Sequence, residues 1–256
     1  MIDIHSHLIP DFDDGSSSLH ESRDLIFESC KNGVTDIICT PHYMGMGEYQ
    51  KSYYETELAF KQLCEGIEDL PINMHLGNEI FYTKECISDA LDAKKYHTLA
   101  NSNYCLFELK FTNYDEEVIN EVYDLNACGY LPILAHPERY YYVQKDMNLV
   151  YELVKEGCLM QVNADSILGY NGKDAQKTVF KLIEHNLVHF VASDAHNSER
   201  RINLKEAFDV IDQKFGEKIA DKLFIINPKK ILDNELIDLD EYTKVSKKGL
   251  FGIFSK

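Results

Sequence analysis

Eight residues that bind hard or borderline metal ions stand at the ends of short apolar runs. They are His5 and His7 in IDIHSH, His42 in TPHY, Glu79 in GNEIF, Glu108 in FEL, His136 in AHPER, and Asp194 with His196 in SDAH. Side chains alternate along a strand, so both imidazoles of the H-x-H pair share a face and can chelate one ion. Five imidazoles and three carboxylates without a cysteine suit Mn, Fe, Zn or Co rather than a structural zinc. One ion cannot use eight ligands, but two or three can if carboxylates bridge. Ions about 3.5–4 Å apart would then hold a water between them as hydroxide. Three divalent ions outweigh three carboxylates, which leaves a cationic pocket suited to a phosphate ester. His20, His75, His97, His185 and His189 lie elsewhere in the pattern and are expected to be structural or surface residues.

Arginines follow two of these segments. Arg139 comes three residues after His136, and Arg200 and Arg201 come four and five after His196. A guanidinium fork matches phosphate oxygens bidentately, so all three are candidate substrate-binding residues on loops over the site. Asp11, Asp13 and Asp14 suit either acceptors that fix histidine tautomers or a proton donor to the leaving group, with Asp14 the catalytic candidate. A solvated helix-capping loop would use the same residues. The stretch MGMGEYQKSYYETE (44–57) reads either as a mobile flap that brings Tyr49 against a substrate ring or as an ordinary loop entering a helix. Other chemistries lack their parts. No cysteine has an arginine six residues on, and G-x-S-x-G, G-x-x-x-x-G-K-[ST] and G-x-G-x-x-G are all missing from the sequence.

The runs that carry these residues span 2–5, 35–40, 72–78, 104–109, 130–136, 159–164 and 189–194, and read as buried strands. Amphipathic stretches between them, closing at Gly33, Gly129 and Gly157, read as helices. Such alternation implies a parallel sheet with helical crossovers. An open sheet would spread seven strand ends along a line, whereas a barrel gathers them at its C-terminal mouth. The expected fold is therefore α/β, a seven-stranded TIM-like barrel with the metal site at that mouth. LMQVNA (159–164) alone contributes no ligand, and LFIIN (223–227) is expected to add a short strand or to seal the bottom.

With 256 residues, one domain over 1–242 and a basic, aromatic tail over 243–256 are expected. Lys and Arg number 26 against 43 Asp and Glu, for a formal charge of −17 that disfavours nucleic-acid backbones and anionic lipids. No run approaches the ~18 apolar residues of a membrane span, and the first residues carry no secretion signal. A cytoplasmic protein is expected, its tail either frayed, folded back, or docking weakly near the inner face of a membrane. Seven scattered cysteines read as reduced, mostly buried thiols.

The ordered set IDIHSHLIPDFDDGS, TPHY, GNEIF, FEL, AHPERY, QVNADSILG and SDAHNSERR resembles the polymerase and histidinol phosphatase (PHP) superfamily. The closer likeness is to its bacterial capsule and exopolysaccharide tyrosine phosphatases, over residues 2 to about 232. The resemblance implies a distorted seven-stranded barrel and a manganese-dependent trinuclear site whose ligands are the eight residues above, with Glu79 bridging. It also implies dephosphorylation of tyrosines on a cognate bacterial tyrosine kinase, without a cysteine nucleophile. Arg139 and an arginine after SDAH become phosphate binders, and spacing favours Arg201 over Arg200. A histidinol-phosphate phosphatase with the same metals is the alternative.

Overall fold

A computed structural model describes residues 1–44, 49–83 and 95–245. Each apolar run contains a parallel strand: β1 Ile2–Asp3, β2 Asp36–Cys39, β4 Asn73–Leu76, β6 Tyr104–Glu108, β7 Leu131–Ala135, β8 Leu159–Asn163 and β9 Phe190–Ala192. Two further short strands, β3 His42–Tyr43 and β5 Glu79–Phe81, begin at ligand candidates. The strands form two sheets, β1-β2-β4 and β3-β5-β6-β7-β8-β9. Between them the register is unbroken, since Cys39 pairs with Leu76 and His42 with Glu79. Backbone bonds from Gly77 to Cys39 (2.8 Å) and Glu79 to Pro41 (3.3 Å) span the interruption, where Pro41 lacks the N–H a continuous ladder would use. On the other flank Ser6 and Ala195 form an isolated parallel bridge, and His7 N–H donates to the Ala195 carbonyl at 2.7 Å.

Helices follow the strands: α1 Leu19–Lys31, α2 Tyr53–Glu65, α3 Val118–Ala127, α4 Tyr141–Lys145, α5 Asn148–Lys155, α6 Ala164–Leu168, α7 Lys173–Glu184, α8 Leu204–Phe215, α9 Glu217–Asp221 and α10 Asn227–Leu232. Helix α1 starts where Ser18 Oγ accepts from Glu21 N–H, and α2 starts at a Ser52–Glu55 capping box. The expected stops hold, with Gly33, Gly129 and Gly157 all at positive φ.

Period-two alternation sorts the strand side chains into two buried layers. Cys105, Phe107, Leu134, Met160, Val162 and Val191 join a large cluster with helix residues such as Ile26, Val122, Leu153 and Val179. Ile2, Ile4, Ile38, Tyr104, Leu106, Ile133, Leu159 and Phe190 form a second, inner cluster. Continuing this inner set in steps of two reaches Glu108 from Leu106, Gln161 and Asn163 from Leu159, and Asp194 from Ala192. On β6, β8 and β9 the inner face is thus apolar at the base and polar at the C-terminal end.

The 223–227 run is not a strand. It lies in a π-helix, Lys222–Ile226, packed on β1 and β9. Leu223 and Phe224 are buried while Ile225 and Ile226 are exposed, a two-in, two-out pattern that a strand's alternation cannot produce. Ile231 of α10 completes the inner cluster instead. Of the tail, Thr243 pairs with His185, Lys244 with Glu152 and Val245 with Asn148, so its first residues fold back on the domain. The docking idea for the remainder falls on residues 246–256, outside the described residues. Cys39, Cys105 and Cys158 are buried, Cys30 and Cys64 partly so, and Cys128 is exposed, while Cys86 lies outside the described residues. The five histidines expected to be structural lie away from the ligand set: His20 is exposed, His75 pairs with Asp36, His97 stacks on Tyr53, His185 meets Thr243, and His189 is buried beneath β8.

Candidate metal centre

All eight predicted ligands converge where the strands end. His5 and His7 follow β1 on one face, and His42 and Glu79 are register partners on β3 and β5. Glu108 ends β6, His136 follows β7, and Asp194 and His196 follow β9. His136 (φ 37°) and Asp194 (φ 53°) adopt left-handed backbone, a conformation costing about 1–3 kcal/mol that surrounding contacts must offset. One such contact is Tyr140, whose hydroxyl donates to the Ala135 carbonyl (3.0 Å) and accepts from Leu109 N–H (2.9 Å). It ties the end of β6, with Glu108, to the end of β7, with His136.

Donor atoms face one another at metal-ligand spacing. His5 Nε2 and His7 Nε2 are 3.2 Å apart; Glu79 Oε2 is 3.3 Å from each, and Asp194 Oδ1 is 3.5 and 3.6 Å away. Ligand bonds of about 2.0–2.2 Å put tetrahedral neighbours about 3.4 Å apart, so these atoms fit around one cation. Two further groups can each share an ion: His42, Glu79 and Glu108; and His7, Asp14, His42 and His196. Glu79 uses both oxygens, with Oε1 3.0 Å from His136 Nε2 and Oε2 beside His5, His7 and His42. His136 Nδ1 is buried without a hydrogen-bond partner.

The electrostatics of the cluster are dominated by its carboxylates and by burial. Burial alone would depress the imidazoles; at His7 and His42 the carboxylates outweigh it, with Asp13 lifting His7 to about 9 and Glu79 and Asp14 lifting His42 to about 10, whereas burial keeps His136 and His196 below their usual value. Burial and the charge of Glu79 push Glu108 up to about 8.

The first loop supplies the orientation the sequence suggested. Asp13 Oδ2 accepts from His7 Nδ1 (2.8 Å) and from His42 N–H (3.0 Å), leaving His7 Nε2 toward the cluster. Gly15 permits this, because a Cβ there would meet the His7 carbonyl at 2.1 Å. Asp11 is exposed. Asp14, the catalytic candidate, faces two imidazoles. Its Oδ1 lies 3.5 Å from His196 Nε2 and 3.3 Å from His42 Nε2, and these imidazoles hold its carboxyl well below the usual range. With His7, His42 and His196 it forms a group whose donor atoms could share one ion.

The arginines separate. Arg139 Nη1 and Arg200 Nη2 both donate to Asp194 Oδ2, at 2.9 and 2.7 Å, and both line a cleft of about 160 Å³ over the cluster. Arg201, favoured by spacing, is not there. It borders a different cavity of about 530 Å³ with Ser17, His20, Glu21 and Glu206. His196 N–H donates to the Arg200 carbonyl and Asn197 Oδ1 accepts from Glu199 and Arg200 N–H, a tight turn that folds Arg200 over Asp194 and aims the next side chain away. Tyr49 stacks on His42 at 5.5 Å; residues 45–48 of the expected flap lie outside the described residues, and 53–57 begin α2.

Sequence reasoning missed Phe111, Gln161 and Asn163. Phe111 is 40 % exposed, stacks on His136 and sits under the Arg139 guanidinium, which lies 5.0 Å from its ring centre. Gln161 and Asn163 contact His5 and Asp194 from β8. Their signal was present: two polar residues on the inner face of an otherwise apolar run.

A family model described as capsular polysaccharide synthesis, CpsB/CapC, matches residues 1–233. The chain belongs to the CpsB/CapC family. It is 34% identical over 257 residues to the tyrosine-protein phosphatase YwqE of Bacillus subtilis, covering 99% of this chain and 100% of that protein. A crystal structure from work on YwqE and on CpsB from Streptococcus pneumoniae, described as unique metal-dependent tyrosine phosphatases, matches with a TM-score of 0.90 at 32% identity. That match covers 96% of this chain and 100% of the other. The fold of this CpsB/CapC member is thus of the PHP type. More distant is a phosphotriesterase homology protein from Escherichia coli, with a TM-score of 0.57 at 11% identity over 90% of this chain and 98% of that one. It shares the TIM-barrel-like fold alone.

Proposed function

We propose that the chain is a metal-dependent protein-tyrosine phosphatase that hydrolyses phosphotyrosine on a bacterial tyrosine kinase controlling capsular or exopolysaccharide synthesis. The observation that carries this reading is the convergence of His5, His7, Glu79 and Asp194 donor atoms beside two guanidiniums at the strand ends. His5, His7, His42, Glu79, Glu108, His136, Asp194 and His196 would hold the ions, with Asp14 as a ninth ligand and Glu79 as a bridge. Mn(II) is the expected occupant of three positions, with Fe, Zn or Co able to replace it. When bound, such ions neutralise phosphoryl oxygens and make a water acidic enough to attack.

The protein's own groups do the rest. Arg139 and Arg200 lie on the cleft wall with further N–H donors, and these meet the non-bridging oxygens of the phosphoryl group. Phe111, 40 % exposed beside Arg139, offers the open part of its ring to the substrate's aromatic ring, and Tyr49, stacked on His42, is a second candidate contact. Asp13 holds His7 in the ligand tautomer. The buried thiols take no part: burial lifts Cys105 to about 12 and raises Cys39 and Cys158 as well, far from a nucleophilic thiolate.

We read the architecture as a distorted seven-stranded barrel over residues 1–242. In support, β3 and β5 continue β2 and β4 in register, and the Ser6–Ala195 bridge sets the end of β1 beside β9. Among the described residues no helix is long and apolar enough to cross a membrane, and action on the cytoplasmic segment of the kinase is part of the proposal. The test is turnover of a phosphotyrosine peptide beside histidinol phosphate, with chelator-stripped protein and each metal in turn. Activity on the peptide restored best by Mn(II) is expected. Full activity without metal would refute the mechanism, and preference for histidinol phosphate would replace the substrate.

A further inference from the structure

Strand β8 brings no ligand to the cluster, yet its two inner-face amides touch the donor set at both ends. Asn163 Nδ2 lies 2.7 Å from Asp194 Oδ2, Gln161 Nε2 lies 2.9 Å from Asn163 Oδ1, and Gln161 Oε1 lies 2.8 Å from His5 Nδ1. All four residues are at most 2 % exposed, so these bonds are closed off from bulk water.

The direction of the chain of bonds is set from one end. Asp194 Oδ2 already accepts from Arg139 and Arg200 at 2.9 and 2.7 Å, so it is an acceptor toward Asn163 too. Asn163 must then turn its NH₂ to Asp194 and its carbonyl oxygen to Gln161. Gln161 must present its NH₂ to Asn163 and its carbonyl oxygen to His5. The Nδ1 of His5 has only one role left, that of donor, and Nε2 becomes the nitrogen offered to a cation, 3.2 Å from His7 Nε2. The strand is also clamped, because Asn163 N–H donates to the buried Glu138 Oε1 at 2.9 Å, beside His136 in the AHPER segment.

We propose that Gln161 and Asn163 form a directional amide relay that couples the Asp194 carboxylate to the His5 tautomer and so preorganises two metal ligands from different strands. They are positioning residues that touch neither metal nor substrate. The inference rests on the reading of His5 and Asp194 as metal ligands. Because the relay is built on a rigid strand, its order is present before any ion arrives, and an ion binds without having to freeze either ligand. A purely structural pair would need only to satisfy its own hydrogen bonds, whereas a relay also has a polarity.

That polarity makes Gln161→Glu decisive. A glutamate keeps an acceptor on His5 Nδ1, and an isolated carboxylate–histidine pair would bind metal as well as the wild type or better. In the relay its second oxygen would face Asn163 Oδ1 and force that amide to flip its oxygen onto Asp194. The experiment titrates chelator-stripped protein with Mn(II), following free Mn(II) by electron paramagnetic resonance. It compares wild type, Gln161→Leu, Asn163→Leu, the double leucine variant and Gln161→Glu. Proton NMR of the metal-free proteins follows the downfield, slowly exchanging His5 Nδ1–H.

Each leucine variant should weaken the tightest Mn(II) site about 10–100-fold. The double variant should lose little more than either single one, and Gln161→Glu should lose at least as much as Gln161→Leu. The His5 Nδ1–H signal should vanish in Gln161→Leu. Unchanged or tighter binding by Gln161→Glu, or fully additive leucine losses, would overturn the relay. If a leucine variant fails to fold, the nearly isosteric Gln161→Glu decides the question alone. A wild-type protein that takes up no Mn(II) would overturn the metal reading instead, and the NMR signal would still report whether Gln161 sets the tautomer.

Discussion

Replacing Arg200 with alanine should cripple phosphotyrosine hydrolysis, while the same change at Arg201 should not. Arg200 Nη2 is 2.7 Å from Asp194 Oδ2 and also reaches the Asp194 carbonyl at 3.3 Å, and its side chain is 38 % exposed over the cluster cleft. A phosphoryl group in that cleft would trade one of these contacts for a charge-assisted bond of its own. A hydrogen bond to a charged group contributes about 1.5–3 kcal/mol, which converts to roughly 10- to 150-fold in kcat/KM. Losing Arg200 also removes one of two cations beside Asp194, so the upper half of that range is expected. Arg201 borders the cavity near Glu21 and should change kcat/KM less than about twofold. The assay is steady-state hydrolysis of a phosphotyrosyl peptide at saturating Mn(II), with metal content measured on the same samples. An Arg201→Ala loss as large as that of Arg200→Ala, with metal content intact, would refute the geometric argument and restore the assignment from spacing.

Phe111→Leu should raise KM for a phosphotyrosyl peptide about 2- to 10-fold, in line with an aromatic contact of about 0.5–1.5 kcal/mol, and leave an alkyl phosphate nearly unaffected. Equal losses on both substrates would mean that the ring serves only to hold Arg139. Gly15→Ala pushes a Cβ to 2.1 Å from the His7 carbonyl, so the loop with Asp13 must move; Mn(II) affinity should drop at least tenfold, and a titration indistinguishable from wild type would contradict the loop's role. His189 is buried, which lowers it to about 3, with Lys222 adding to the effect; its Nδ1 accepts from Met160 N–H at 3.0 Å. The unfolded chain therefore binds a proton that the folded one refuses between about pH 6.5 and 3, so stability is full above that window and falls as pH drops through it. In His189→Asn, whose amide oxygen can replace the acceptor, the urea midpoint should depend less steeply on pH across that window; identical slopes would assign the effect to other groups.

Much of the site was written in one dimension. A buried strand announces itself by an apolar run, and a ligand at its C-terminal end lies near the other strand ends when parallel strands, joined by returning helices, curl in the manner of a barrel. That is why His5, His7, His42, Glu79, Glu108, His136, Asp194 and His196 could be gathered from their positions alone, and why the strands and the three glycine-closed helices fell where expected. Residues off the strand ends were not legible in this way. Whether Arg200 or Arg201 meets Asp194 depends on a turn closed by His196 N–H and Asn197 Oδ1, which no spacing rule encodes. Asp14 faces His42 and His196 from a first loop that Gly15 lets press on the His7 backbone. The run at 223–227 had strand-like composition but lay beyond the last hydrogen-bonded strand, and the chain coiled into a π-helix. Gln161 and Asn163 gained meaning only when β8 was placed between β7 and β9, within reach of His5 and Asp194. The sequence by itself determined which candidate ligands stand at which strand ends, because alternation and burial are local properties. Which atoms face one another was decided by tertiary structure, because the direction of a side chain beyond a strand end follows from how loops close over their neighbours.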